Sequence, residues 1–203
     1  MLTTVFRLYD GYSDANRVVL LLEASGVALS DTSLISNNCD TWYRGPAASN
    51  VVALRKQQEN SNAHREIEDA AIGAAAVPAA SFVTLLAVPG VGPVVGVGWL
   101  ATILGSMAAD GAAGGLLGAL TNAAIDDEDA QVLVEGVRRG GTLVTTRVPQ
   151  DDVPRIEALM VRNAVNLRER SQIYRKAGWL GFDPNARPYT AHQVRCERAL
   201  HAR

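Results

Sequence analysis

From Ala70 to Ala109 the chain runs for forty residues without a charged side chain. Near the middle of this run lies "VPGVGP", whose two prolines lack a backbone donor and whose glycines favour turns, so no helix continues through it. An apolar run of this length must be covered by protein, by lipid or by copies of itself, because monomers rarely leave large apolar patches in water. Two arms around a central break predict a glycine-rich antiparallel helical hairpin over residues 70–124, turning at Pro89, Gly90, Gly92 and Pro93. The first arm, Glu66 to Val88, is long enough to cross a membrane once at about 1.5 Å per residue. Three settings stay open: a membrane hairpin, an oligomer seam, or a buried pair of helices.

Small residues recur four apart on the second arm, as Ala108/Ala112, Gly111/Gly115 and Gly114/Gly118. Each glycine costs a solvated helix about 1 kcal/mol against alanine, so the pattern suits helices that approach backbone to backbone. Asp110 interrupts the same arm, and an aspartate at the centre of a span costs about 2.5–3.5 kcal/mol on insertion scales. These seven residues are the candidate oligomer or membrane interface. The expected partners are further copies of the chain and membrane lipid.

The flanks read as an α+β module. "TTVFRLYD" (3–10) is a predicted strand, "DANRVVLLLEASGV" a helix ended by Gly26, and "DTSLISNN" a second strand. Beyond the hairpin, "IDDEDAQVLVEGVRRGG" has an acidic first turn, a basic last turn and terminal glycines, with Asp126 as the expected cap. "TLVTTRV" (142–148) is a strand, "DDVPRIEALMVRNAV" an amphipathic helix, and "VNLRERS" is read as a further strand. The order β-α-β then β-α-β predicts a split ferredoxin-like module with the hairpin inserted between its halves. On this reading residues 1–40 form the first half, 41–69 a polar linker, 70–124 the hairpin, 125–173 the second half, and 174–203 an aromatic C-terminal tail. A net charge of −2 over 203 residues gives no global field for nucleic acid. Two cysteines do not make a disulfide scaffold, and the N-terminus shows no signal peptide, so a cytoplasmic setting is expected, with peripheral or inserted contact at the inner membrane.

Little chemistry is visible. His192 and Cys196 are four apart and Cys39 can be imagined completing a metal site, but the paired spacings of a metal centre are missing, so no metal is expected. Asp126–Asp129 is explained more simply by a helix N-terminus than by a cation. "GVGPVVGVG" has no following Lys-Ser/Thr and is not a phosphate loop. Arg138 and Arg139 can grip an anion, although a helix C-terminus favours a dipole-stabilising role. No catalytic constellation and no cofactor are expected. Tyr174, Trp179, Phe182 and Tyr189 mark an irregular tail pinned by aromatic anchors, on the chain's own sheet or on a neighbouring subunit.

Taken together, "VFRLYDGYSDANRVVLLLEASGV", the glycine-rich middle with "PGVGP", and "EGVRRGGTLVTTRV" resemble the bacterial heat-induced or general stress proteins, the YflT-like family with a glycine-zipper insert. The resemblance spans most of residues 4–170, and the tail "YRKAGWLGFDPNARPYT" is similar too. It implies a stress-linked setting and no enzymatic activity. The expected function is a non-enzymatic, self-assembling protein whose hairpin mediates homo-oligomerisation and membrane association. The alternative is a soluble oligomeric module that binds a small ligand and uses the hairpin as its oligomer core.

Overall fold

The computed structural model describes residues 2–43, 84–109 and 115–201. The chain is α+β. Five strands, β1 (Leu2–Tyr9), β2 (Thr32–Asn37), β3 (Thr84–Val88), β4 (Gly92–Gly98) and β5 (Thr142–Pro149), make one antiparallel sheet in the order β1-β5-β2-β4-β3. Seven α-helices accompany it among the described residues: α1 (Tyr12–Ala24), α2 (Trp99–Ala109), α3 (Gly115–Asn122), α4 (Asp127–Arg138), α5 (Val153–Met160), α6 (Leu167–Lys176) and α7 (Ala191–His201).

Strand register sorts the core. Leu8 pairs with Leu143, which pairs with Ile35, and this row is covered by Leu133, Val134 and Val137 of α4. Because side chains alternate along a strand, their neighbours point the other way. Val5, Tyr9, Leu34, Val144 and Val148 therefore meet Ala15, Val18 and Leu22 of α1 and Ile156 and Met160 of α5. Helices cover both faces. Ser36 and Thr142, buried in the middle strands, satisfy each other at 2.8 Å, which removes the cost of an unpaired hydroxyl at that pair.

Helix α4 starts and stops as its sequence demands. Asp126 accepts from the Glu128 N–H at 3.0 Å, three acids occupy the first turn, and Arg138 lies in the last. At the far end the Gly140 N–H donates to the Val137 carbonyl and the Gly141 N–H to the Gly136 carbonyl, at 3.0 and 2.9 Å. That pair of bonds needs a left-handed residue, and Gly140 supplies it at φ +111°.

Two expectations are corrected. The break at Pro89–Pro93 is a turn, but it joins strands β3 and β4, where helical arms were expected. Val94, Val95 and Val97 are β-branched and suit a strand, and Gly98, at φ +89°, lies against the Thr32 carbonyl with Ser33 Cα 2.8 Å from where its Cβ would stand. Second, the segment read as a fourth strand at "VNLRERS" belongs largely to α6, capped by Asn166, which accepts from the N–H groups of Arg168 and Glu169. The second strand-helix-strand run expected at 142–172 is therefore not formed. Helical residues α2 to α4 instead connect β4 to β5, with β2 between those strands. The tail is irregular over 177–190 and then continues into the helix α7.

Of the expected interface, Ala108 lies in α2, while Asp110, Gly111, Ala112 and Gly114 fall outside the described residues, as do the first arm at 70–83 and residues 44–69. Gly115 opens α3 at φ +49° and faces its own chain, with Val88 Cγ1 3.7 Å from the position of a Cβ. Gly118 is half-buried in α3. No helix among the described residues is long and apolar enough to cross a membrane.

Candidate functional site

The motif Glu135-Gly136-Val137-Arg138-Arg139-Gly140-Gly141 builds the most concentrated polar site. A Cβ on Gly136 would run into the buried end of Leu8, so glycine lets α4 sit this close to β1 without displacing that side chain. That approach places Glu135 fully out of solvent. A buried carboxylate is costly unless paired, and this one has two cations. Arg139 Nε donates to it at 2.6 Å and Arg138 Nη1 at 3.1 Å. Each guanidinium then stacks on a tyrosine, Arg139 at 4.2 Å over Tyr174 and Arg138 at 4.9 Å over Tyr189.

A second tier surrounds this centre. Arg170 makes a two-pronged pair with Asp10 at 2.7 and 2.8 Å. Arg139 Nη1 reaches Glu197 of α7 at 3.3 Å, and Arg198 of the same helix donates to Asp40 at 2.6 Å and to the Gly140 carbonyl at 2.8 Å. Between α7 and the rest lies a water-sized crevice of about 10 Å³, lined by Asp10, Arg139, Arg170, Tyr174, Glu197 and His201 among others.

The electrostatics are those of a clasp. Four arginines (138, 139, 170, 198) face four carboxylates (Asp10, Asp40, Glu135, Glu197), so the charges cancel and no net field is left to draw in an anion. Burial works against the Arg139 charge, and the Glu135 hydrogen bond together with the attraction of Glu135, Tyr189 and Glu197 more than restores it, so its pKa is raised. Burial pushes the Tyr174 hydroxyl up to about 12, with Arg170 pulling the other way. His201, 3.9 Å from Glu197, is lowered by burial and then by Arg170. The acids of the cluster are engaged by guanidiniums, which suits positioning of chain segments better than proton transfer.

The hairpin turn and the tail, separate in sequence, meet here. The site of a Cβ on Gly90 lies 2.8 Å from the Asp183 carbonyl oxygen and from Pro184 Cα, and that on Gly92 lies 2.9 Å from Pro188 Cβ. The two glycines therefore admit the tail onto the turn. Arg138 Nη2 donates to the Arg187 carbonyl at 2.9 Å, which ties the tail to the same motif.

Arg138 and Arg139 are thus more than complements to a helix dipole. Their main partner, Glu135, was legible as an acid three and four residues before them. Asp10, Asp40, Arg170 and Glu197 carry no local signal, since each is brought in from a distant segment. His192 and Cys196 do share a face, with Sγ 3.8 Å from Nδ1, whereas Cys39 sits beside Gly92 and Pro188. Among the described residues no three His, Cys, Asp or Glu side chains converge as a metal set. Comparison of the chain with family profiles, curated proteins and solved structures finds no match.

Proposed function

We propose that this chain is a non-enzymatic, self-assembling protein of the stress-protein kind its sequence resembles, and that copies join through the apolar edge formed by β3 and the uncharged α2 beside it. The observation that carries this reading is the edge itself. β3, "TLLAV", has neither charge nor proline, and among the described residues only β4 pairs with it. Soluble proteins usually blunt such edges with lysine, proline or a bulge, because an open ladder of N–H and C=O groups invites another strand. The eleven residues of α2 are likewise uncharged and pack against β2, β3 and β4.

Ala87→Lys tests this reading cleanly. Ala87 is exposed, so a lysine there leaves the core alone and places a charge on the edge. Sedimentation velocity should show the wild type as an oligomer and Ala87→Lys as a smaller species. A wild type that stays monomeric at every concentration, or a variant that sediments like it, overturns the assignment. Gly115→Leu is a poorer probe, because Gly115 has a left-handed backbone and packs on Val88 of its own chain.

A further inference from the structure

We infer that residues 179–201 form a detachable strap over the β3–β4 turn, fastened by ion pairs, and that its release exposes the turn to a second copy of the chain. The second half of this inference rests on the self-assembly reading above. Across the 23 residues 179–201 only Val194 is buried, and Phe182 is half-buried against the core, so apolar burial alone holds the segment weakly. Its fastenings are polar. Arg198 binds Asp40 and the Gly140 carbonyl, Glu197 binds Arg139, and the Arg187 carbonyl accepts from Arg138. What the strap covers is apolar: Gly90, Val91 and Gly92 are all buried, and Phe182, Asp183, Pro184 and Pro188 lie against the glycines. An eleven-residue helix such as α7 is marginal without its contacts, so it belongs among the segments that open below the global unfolding free energy. Opening would leave an uncovered apolar turn directly beside the β3 edge.

The test uses a charge swap in the full chain. Asp40→Arg sets two guanidiniums face to face, and Asp40→Arg combined with Arg198→Asp restores the pair with reversed sign. Hydrogen exchange read by mass spectrometry should accelerate at least about tenfold in Asp40→Arg for residues 191–201 and for the turn 89–92 together. Exchange in β1, β5 and β2 should stay as in the wild type, and the double variant should restore part of the protection, because Arg198→Asp also gives up the bond to the Gly140 carbonyl. Sedimentation should show larger species for Asp40→Arg than for the wild type at equal concentration. If α7 loosens while the turn stays protected, or if neither changes, the strap is refuted. Failure of the double variant to restore any protection refutes the ionic fastening. If exchange changes as stated but size does not, release does not expose an assembly surface. Ala87→Lys then decides separately whether assembly uses β3 at all.

Discussion

Glu135→Gln removes one charge and almost no volume from the centre of the arginine cluster, so its effect isolates the ion pairs. Glu135 is fully buried, and the guanidiniums of Arg138 and Arg139 retain only 15% and 12% of their side-chain exposure. Removing one partner of such a pair typically costs about 3–5 kcal/mol, because the opposite charge is left without compensation in a poorly solvated place. Arg139 keeps Glu197 and Arg138 keeps the Arg187 carbonyl, and a glutamine oxygen still accepts one hydrogen bond. The loss should therefore fall near the bottom of that range, about 3 kcal/mol. With a urea slope of about 2–3 kcal/mol per molar, the midpoint should fall by about 1–1.5 M at unchanged slope. Replacing the triad by Glu135→Leu, Arg138→Leu and Arg139→Met should cost less than Glu135→Gln alone, since no fully buried charge is stranded and Glu197, which loses Arg139, keeps 21% of its side-chain exposure to water. A midpoint within about 0.3 M of the wild type would refute the reasoning. So would a triple variant weaker than the single one.

Gly98→Ala should cost about 2–5 kcal/mol, from a left-handed backbone at φ +89° and a Cβ driven into the Thr32–Ser33 backbone; a thermal midpoint equal to the wild type's would count against it. Asp126→Ala should remove about 1 kcal/mol in urea unfolding by leaving the Glu128 N–H without its acceptor, and a change under about 0.3 kcal/mol would show that the cap is idle. The raised Tyr174 hydroxyl predicts an alkaline effect. The folded state holds this proton up to about pH 12, whereas the unfolded state releases it near pH 10, so the stability it lends is whole below about pH 10 and lost on the way to pH 12. Tyr174→Phe should flatten the fall in stability across that window, and an equal slope in both proteins would dismiss burial as the cause.

The parts of the fold that were legible carry their own local signals. Strand β5 alternates and is β-branched, and α4 announces itself through Asp126, its acidic start and Gly140-Gly141. Strands β3 and β4 were hidden because short apolar runs have no periodicity to separate a buried strand from a buried helix. The valines at 94, 95 and 97 between glycines were the available hint. α6 was misread because "VNLRERS" alternates, although Asn166 with Glu169 three residues on marks a helix start. The candidate site was legible only in its middle. Glu135, Arg138 and Arg139 are neighbours in sequence, but Asp10, Asp40, Arg170 and Glu197 join them through the sheet and the returning tail.

The strand order also governs the sequence of events as the chain leaves the ribosome. Among the described strands only β3 and β4 join by a short turn. β1 has β5 as its sole neighbour among the described residues, and β2 has β5 on one side. Neither β1 nor the α1 face it shares with β2 can close until Thr142–Pro149 has been made. At about 5–20 residues per second, the roughly 110 residues between Asn37 and Pro149 take on the order of ten seconds to appear. During that interval the N-terminal strands and the uncharged middle stand open together, with their long-range pairing still to come. Synthesis itself is then the period of greatest exposure to misassociation, and the last strand to be translated ends it by threading between the first two.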